Sequence, residues 1–89
     1  MATYLASIHV MLKPLVNDPQ GLAVLDGLGH LGFDGVRKVR VGKRIEVTIE
    51  AADSAAADFA VTDMCRKLLA NQVIEDFTFE LAEVAPAGA

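Results

Sequence analysis

The 89-residue sequence predicts an α+β domain in which a four-stranded antiparallel sheet carries two helices on one face. Three observations predict it. Residues 35–50, GVRKVRVGKRIEVTIE, hold two runs rich in Val, Ile and Thr around a Gly-Lys-Arg break, the signature of strand, turn and strand. Apolar residues alternate near both ends, over residues 3–12 and 73–82, as in half-buried strands. Between the alternating runs lie two stretches with apolar residues at helical spacing. The resulting order, strand, helix, strand, strand, helix, strand, is the split βαβ pattern of ferredoxin-like βαββαβ domains. Right-handed crossovers then set the first strand in the middle, beside the third and the fourth.

The first strand points Tyr4, Ala6, Ile8, Val10 and Leu12 one way and Leu5, Ser7, His9 and Met11 the other. Lys13-Pro14 ends it, because proline cannot donate to a ladder. Asp18 caps the first helix and Pro19 suits its first turn. Leu22, Leu25 and Leu28 form its apolar stripe, while Gly21, Gly27 and Gly29 weaken it. Gly32 is the expected C-terminal stop.

The hairpin register follows from its side chains. A two-residue loop would leave Val39 and Val41 among Arg44, Glu46 and Thr48. A three-residue loop of Gly42, Lys43 and Arg44 pairs Val41 with Ile45 and Val39 with Val47, and sets Arg40 opposite Glu46. Since a one-residue slip turns every side chain to the other face, the odd loop is preferred. One face is then apolar (Val39, Val41, Ile45, Val47, Ile49) and the other charged (Lys38, Arg40, Glu46, Glu50), so the sheet is covered on one side only. Asp53 or Ser54 caps the second helix, which runs to about Ala70 with Ala57, Val61, Met64, Cys65 and Leu68 on one face. Phe59 falls opposite that stripe and is expected to be a contact residue, not a core residue. Asn71 is expected to make a left-handed stop. The last strand alternates Phe77, Phe79 and Leu81 with Asp76, Thr78 and Glu80. Residues 1–82 form the expected domain and 83–89 a flexible tail with nothing to pack.

Composition narrows the function. Hydrophobic residues make up 53% of the chain but aromatic ones only 6%, so the core is mostly aliphatic. A net charge of −4 argues against a nucleic-acid binder tracking the phosphate backbone. One cysteine excludes an internal disulfide and fits a reducing compartment. No signal peptide or apolar span of membrane length is visible, so the expectation is a soluble cytoplasmic protein.

No catalytic constellation can be assembled. His9 sits on a strand, His30 late in the first helix and Cys65 on the core side of the second, at spacings that match no metal site. Cys65 has no base set beside it. Glu75 and Asp76 are adjacent strand residues that point to opposite faces, which rules out an acid pair. The loop after the first strand, KPLVNDPQG, has no arginine to bind phosphate. The residues describe an accessory or binding module without a cofactor of its own. The half-covered sheet calls for self-association, most simply a two-fold dimer or a dimer of dimers. Gly42, Lys43 and Arg44 at the hairpin tip, with Phe59 and then Lys38 and Arg40, are the expected contacts to a partner. A ferredoxin-like sensor binding a small molecule at its dimer interface is the alternative.

Three segments carry a resemblance: LKPLVNDPQG (residues 12–21), LGFDGVRKVRVGKRIEV (31–47) and MCRKLLANQVIEDF (64–77). In this order they resemble the PurS subunit of phosphoribosylformylglycinamidine synthase, across nearly all of the chain to about Leu81. Gln72 stands where that family usually has proline, and the alanine-rich tail has no counterpart. The resemblance implies a role in de novo purine biosynthesis without catalysis by this chain. It implies two further partners: a synthetase subunit, which binds ATP, magnesium and formylglycinamide ribonucleotide, and a glutaminase subunit, which releases ammonia from glutamine. The small subunit would join those two.

Overall fold

Strand β1 (Ala2–Leu12) is the central strand, as the alternation predicts, and the computed structural model describes residues 1–84 around it. It pairs antiparallel with β2 (Gly42–Ala51) on one side and with β3 (Glu75–Val84) on the other, giving the order β2-β1-β3. Register sets one face. Ile8 lies between Ile45 and Phe79, Ala6 between Val47 and Leu81, and Tyr4 opposite Ile49. On β1 itself Tyr4, Ala6, Ile8 and Val10 are buried. The opposite face is polar, with His9 between Arg44 and Thr78, and Ser7 between Glu46 and Glu80.

Helix α2 (Ser54–Met64) covers the inner face, capped by Asp53, whose carboxylate accepts from the Ala56 N–H at 2.8 Å. It sets Ala57 and Val61 into the core and continues into a π-helical turn, Cys65–Leu69. The Ala70 N–H reaches back five residues to the Cys65 carbonyl at 3.0 Å. One extra residue in that turn rotates the side chains after it about the helix axis. Leu69 and Ala70 therefore meet the core, while Leu68, expected in the apolar stripe, is 83% exposed. The expected left-handed stop at Asn71 is absent, since no described non-glycine residue has positive φ. Asn71 instead uses its side-chain oxygen to accept from the Val73 N–H at 3.0 Å.

Two expectations are overturned. The sheet has three strands, not four, among the described residues. There is no turn at Gly42-Lys43-Arg44, because β2 begins at Gly42 and runs straight through them. A tight odd loop needs a residue at positive φ, and Gly32 alone has one among the described residues. Gly42 serves a different need: it faces Met11 across the ladder, and a Cβ there would collide with the Met11 sulfur and the Val10 carbonyl. Residues 36–41 approach β2 outside any described ladder. Arg40 accordingly does not oppose Glu46; Arg44 pairs with Glu46 instead, at 3.2 Å.

A further correction concerns α1 (Pro19–His30). It starts and stops as predicted, with Asp18 as cap, Pro19 in the first turn and Gly32 just past the end at φ 93°. It does not lie on the sheet beside α2. Gly21 is its one buried residue, and the helix layer over the sheet comes from α2. Leu22, Val24, Leu31 and Phe33 are exposed. The helix and the returning residues 33–41 form an arm. The arm makes the molecule long, with extents of 51 × 31 × 16 Å and a radius of gyration of 17.0 Å, against about 12 Å for a compact chain of this length. No helix among the described residues is long and apolar enough to cross a membrane. Glu83 and Val84 extend β3, and the rest of the expected tail, 85–89, lies outside the described residues.

Candidate functional site

The root of the arm is the most tightly built polar feature of the chain. Asp18 uses both carboxylate oxygens there. One accepts from the Gly21 N–H at 2.9 Å, capping α1, and the other from the Val41 N–H at 2.9 Å, 23 positions along the sequence. The two N–H groups, helped by the nearby Arg40 guanidinium, favour the charged carboxylate and hold Asp18 below the usual carboxylate range. Gly21 lies so close to the returning chain that a Cβ would strike the Val39 carbonyl and the Asp18 carboxylate. Arg40 closes the third side, its guanidinium donating to the Leu12 carbonyl at the end of β1. Helix cap, returning chain and strand end are thus joined at one point.

Most of the contact residues expected from sequence fall near this root, although not as a hairpin tip. Gly42, Lys43 and Arg44 form the first residues of β2. Lys43 edges a hollow of about 340 Å³ with Val10, Asp18, Gln20, Val41 and Glu75. Arg44 turns to the polar sheet face, toward Glu46 and the Ser7 hydroxyl. Lys38 is exposed on the returning chain, whereas Arg40 is half-buried and engaged. Phe59 lies far from them on α2 and is 75% exposed. It lines a groove of about 620 Å³ with Asp58, Thr62, Asp63, Arg66 and Leu81.

Sequence reasoning finds Asp18 as a helix cap but misses its second bond. The available signal is that two of the segments that carry the family resemblance, residues 12–21 and 31–47, are the ones that meet here. The remaining chemistry-bearing residues occupy three separate places. His9 is on the polar sheet face. His30 is at the end of α1, its Nδ1 2.8 Å from the Asp26 carbonyl. Cys65 is buried in the core, where desolvation pushes its thiol up from the ordinary value.

Residues 5–83 match the profile of the family described as PurS, phosphoribosylformylglycinamidine (FGAM) synthase. The chain belongs to the PurS family. Among its relatives, the phosphoribosylformylglycinamidine synthase subunit PurS of Synechocystis is 49% identical over 96% of this chain and 85% of that protein. The Bacillus subtilis PurS subunit is 47% identical over 91% of this chain and 95% of its own length. Solved PurS structures share the fold. The B. subtilis PurS structure in its C2 crystal form superposes with a TM-score of 0.81 at 46% identity, covering 90% of this chain and 99% of that one. A chain in the structure of PurLQS from Thermotoga maritima gives 0.82 at 31% identity, covering 94% of this chain and all of that one.

Proposed function

We propose that this chain is the small, non-catalytic subunit of phosphoribosylformylglycinamidine synthase in de novo purine biosynthesis. The observation that carries the reading is the end-to-end likeness to a chain of PurLQS, at a TM-score of 0.82. The chain joins a synthetase subunit to a glutaminase subunit, so that ammonia released from glutamine reaches formylglycinamide ribonucleotide without loss to solvent. ATP and magnesium belong to the synthetase, and this chain holds no cofactor. It works in the cytoplasm, as a homodimer or a dimer of dimers.

The site geometry suits a joining role. The one thiol is buried in the core, and the best-organised polar group, Asp18, is occupied in holding backbone together. What the chain offers outward is surface: a groove edged by Phe59, and the exposed basic groups of Lys38, Lys43 and Arg44. These are the contacts we assign to the larger subunits, on an otherwise acidic chain, where their charge steers docking.

Reconstitution tests the reading. Purified synthetase and glutaminase subunits are assayed for amidine formation with and without this chain, with either glutamine or ammonium as nitrogen source. Glutamine-dependent turnover should require this chain, and ammonium-dependent turnover by the synthetase alone should not. Equal glutamine-dependent rates in its presence and absence would overturn the proposal, as would turnover by the isolated chain.

A further inference from the structure

Strand β3 is an edge strand, paired with β1 on one side only. Which of its backbone groups face outward follows from the ladder. The Lys13 N–H donates to the Ile74 carbonyl at 2.8 Å, and the β1–β3 register continues from that pair without a bulge to Thr3 and Val84. Bonded pairs alternate with unbonded ones in an antiparallel ladder, so Asp76, Thr78, Glu80 and Ala82 turn their N–H and C=O groups toward β1. Phe77, Phe79, Leu81 and Glu83 turn theirs away. Glu75 shares the outward set, and its N–H accordingly donates to the Asn71 carbonyl at 2.7 Å and not to β1. Among the described residues this leaves an open row of backbone groups over 77–83, about 23 Å long at ~3.3 Å per residue. No proline interrupts it.

Two features border the row. On the inner face Phe77, Phe79 and Leu81 are only partly buried, and the groove of Phe59, Thr62 and Leu81 lies between α2 and this strand. The second feature is charge. β3 carries Glu75, Asp76, Glu80 and Glu83 and no basic residue. Lys13 pairs with Asp76, while Glu80, Glu83 and Asp58 on the groove wall have no cation partner among the described residues. A second copy's β3 would set its own acidic row against this one, which like charges oppose. A basic strand meets no such barrier.

We propose that the outer edge of β3 takes an extended segment of one of the larger subunits as an added strand, with apolar and basic side chains in alternation. Its backbone pairs with the outward groups of Phe77, Phe79, Leu81 and Glu83. Its apolar side chains enter the inner face beside Phe79 and Leu81, toward Phe59, and its basic ones lie on the polar face beside Thr78 and Glu80. In strand addition the backbone bonds supply affinity and the alternate side chains supply selectivity. The surface lies at the opposite edge of the sheet from β2. The proposal deepens the joining role given above and rests on it, naming the kind of segment that the groove beside Phe59 receives.

Residue-resolved amide exchange tests the pairing. The isotope-labelled chain is exchanged free and inside the complex assembled with both larger subunits, then quenched and read by NMR. In the free chain Thr78, Glu80 and Ala82 should exchange slowly, and Phe79, Leu81 and Glu83 fast. In the complex the fast set should slow by about tenfold or more. Glu80→Lys should weaken assembly by about tenfold in a titration, whereas Glu50→Lys, the same charge change on β2, should not. A complex that assembles and sustains glutamine-dependent turnover, with the fast set unchanged, would overturn the strand addition and leave the joining role standing. A fast set already slow in the free chain would show the edge covered by a second copy and overturn the proposed occupant. Equal weakening by the two lysine substitutions would assign the effect to net charge and likewise refute pairing at this edge. Glutamine-dependent turnover indifferent to the chain would overturn the joining role, and the docked segment with it.

Discussion

Replacing Val61 and Leu68 separately by alanine distinguishes the π-helical turn from the regular helix that the sequence pattern predicts. In a regular helix both belong to one apolar stripe and both substitutions should cost stability. In the structure Val61 is fully buried against Ala6, Ile8 and Val10, while Leu68 is 83% exposed. Val61→Ala deletes two buried methyl carbons, about 1.6 kcal/mol at ~0.8 kcal/mol per buried carbon. A cavity term adds to this, for a total of about 2–3 kcal/mol. With an unfolding entropy near 2.1 cal/mol/K per residue, that loss lowers Tm by about 10–15 °C. Leu68→Ala should stay within about 0.5 kcal/mol of the unaltered protein. Urea denaturation followed by circular dichroism measures both, repeated at tenfold dilution so that any contribution from association shows as a concentration dependence. Equal, concentration-independent losses from the two substitutions would refute the π turn and restore the regular helix.

Three further outcomes are expected. Because the folded pKa of Asp18 lies below its unfolded value, its contribution is present above the ordinary carboxylate range and disappears as pH falls through the folded value; the gap in urea midpoint between the unaltered protein and Asp18→Asn should close on acidification, and a gap independent of pH would contradict the bonding described. Cys65 is buried and its thiol is pushed up, so a thiol-specific reagent should label it only in denaturant; rapid labelling of the native protein would show that the core is open there. Phe59→Ala should leave Tm unchanged, since the ring is 75% exposed, but weaken binding to the larger subunits by about 1 kcal/mol or more in a titration; unchanged affinity would move that contact elsewhere.

Much of this architecture is legible in the sequence because it is set by local rules. The alternation of β1, the Asp18 and Asp53 caps and the Gly32 stop all depend on a few neighbouring residues, and the central place of β1 follows from element order. The inner face of β2 is also as expected, since Ile45, Val47 and Ile49 keep their alternation whether or not the turn forms. The failures share a cause. Gly42-Lys43-Arg44 extends as strand paired with Met11, Val10 and His9, which are remote in sequence and which no local turn rule takes into account. The rotation that expels Leu68 depends on one hydrogen bond of unusual span. Asp18 is complete as a cap on local grounds, and its second acceptor bond needs Val41 to arrive. Phe59 can be placed away from the core by angle alone, whereas its groove cannot, because Leu81 of β3 forms part of the wall.

The strand order has a consequence for how the chain is made. β1 is synthesised before either strand that flanks it, and Thr3 must wait for Val84. At about 5–20 residues per second, the edge of β1 that pairs with β3 waits roughly 3–16 s for its partner, although α2, made earlier, can already cover the inner face. β2 arrives sooner, and loop-closure entropy grows only with the logarithm of the intervening length. The bridge from Asp18 to Val41 brings that partner in by gathering the arm at its root. A nascent chain therefore passes through a two-stranded stage with one edge of β1 unsatisfied. Substitutions that loosen the root should lower the yield of folded protein in the cell more than they lower the stability of molecules that finish folding.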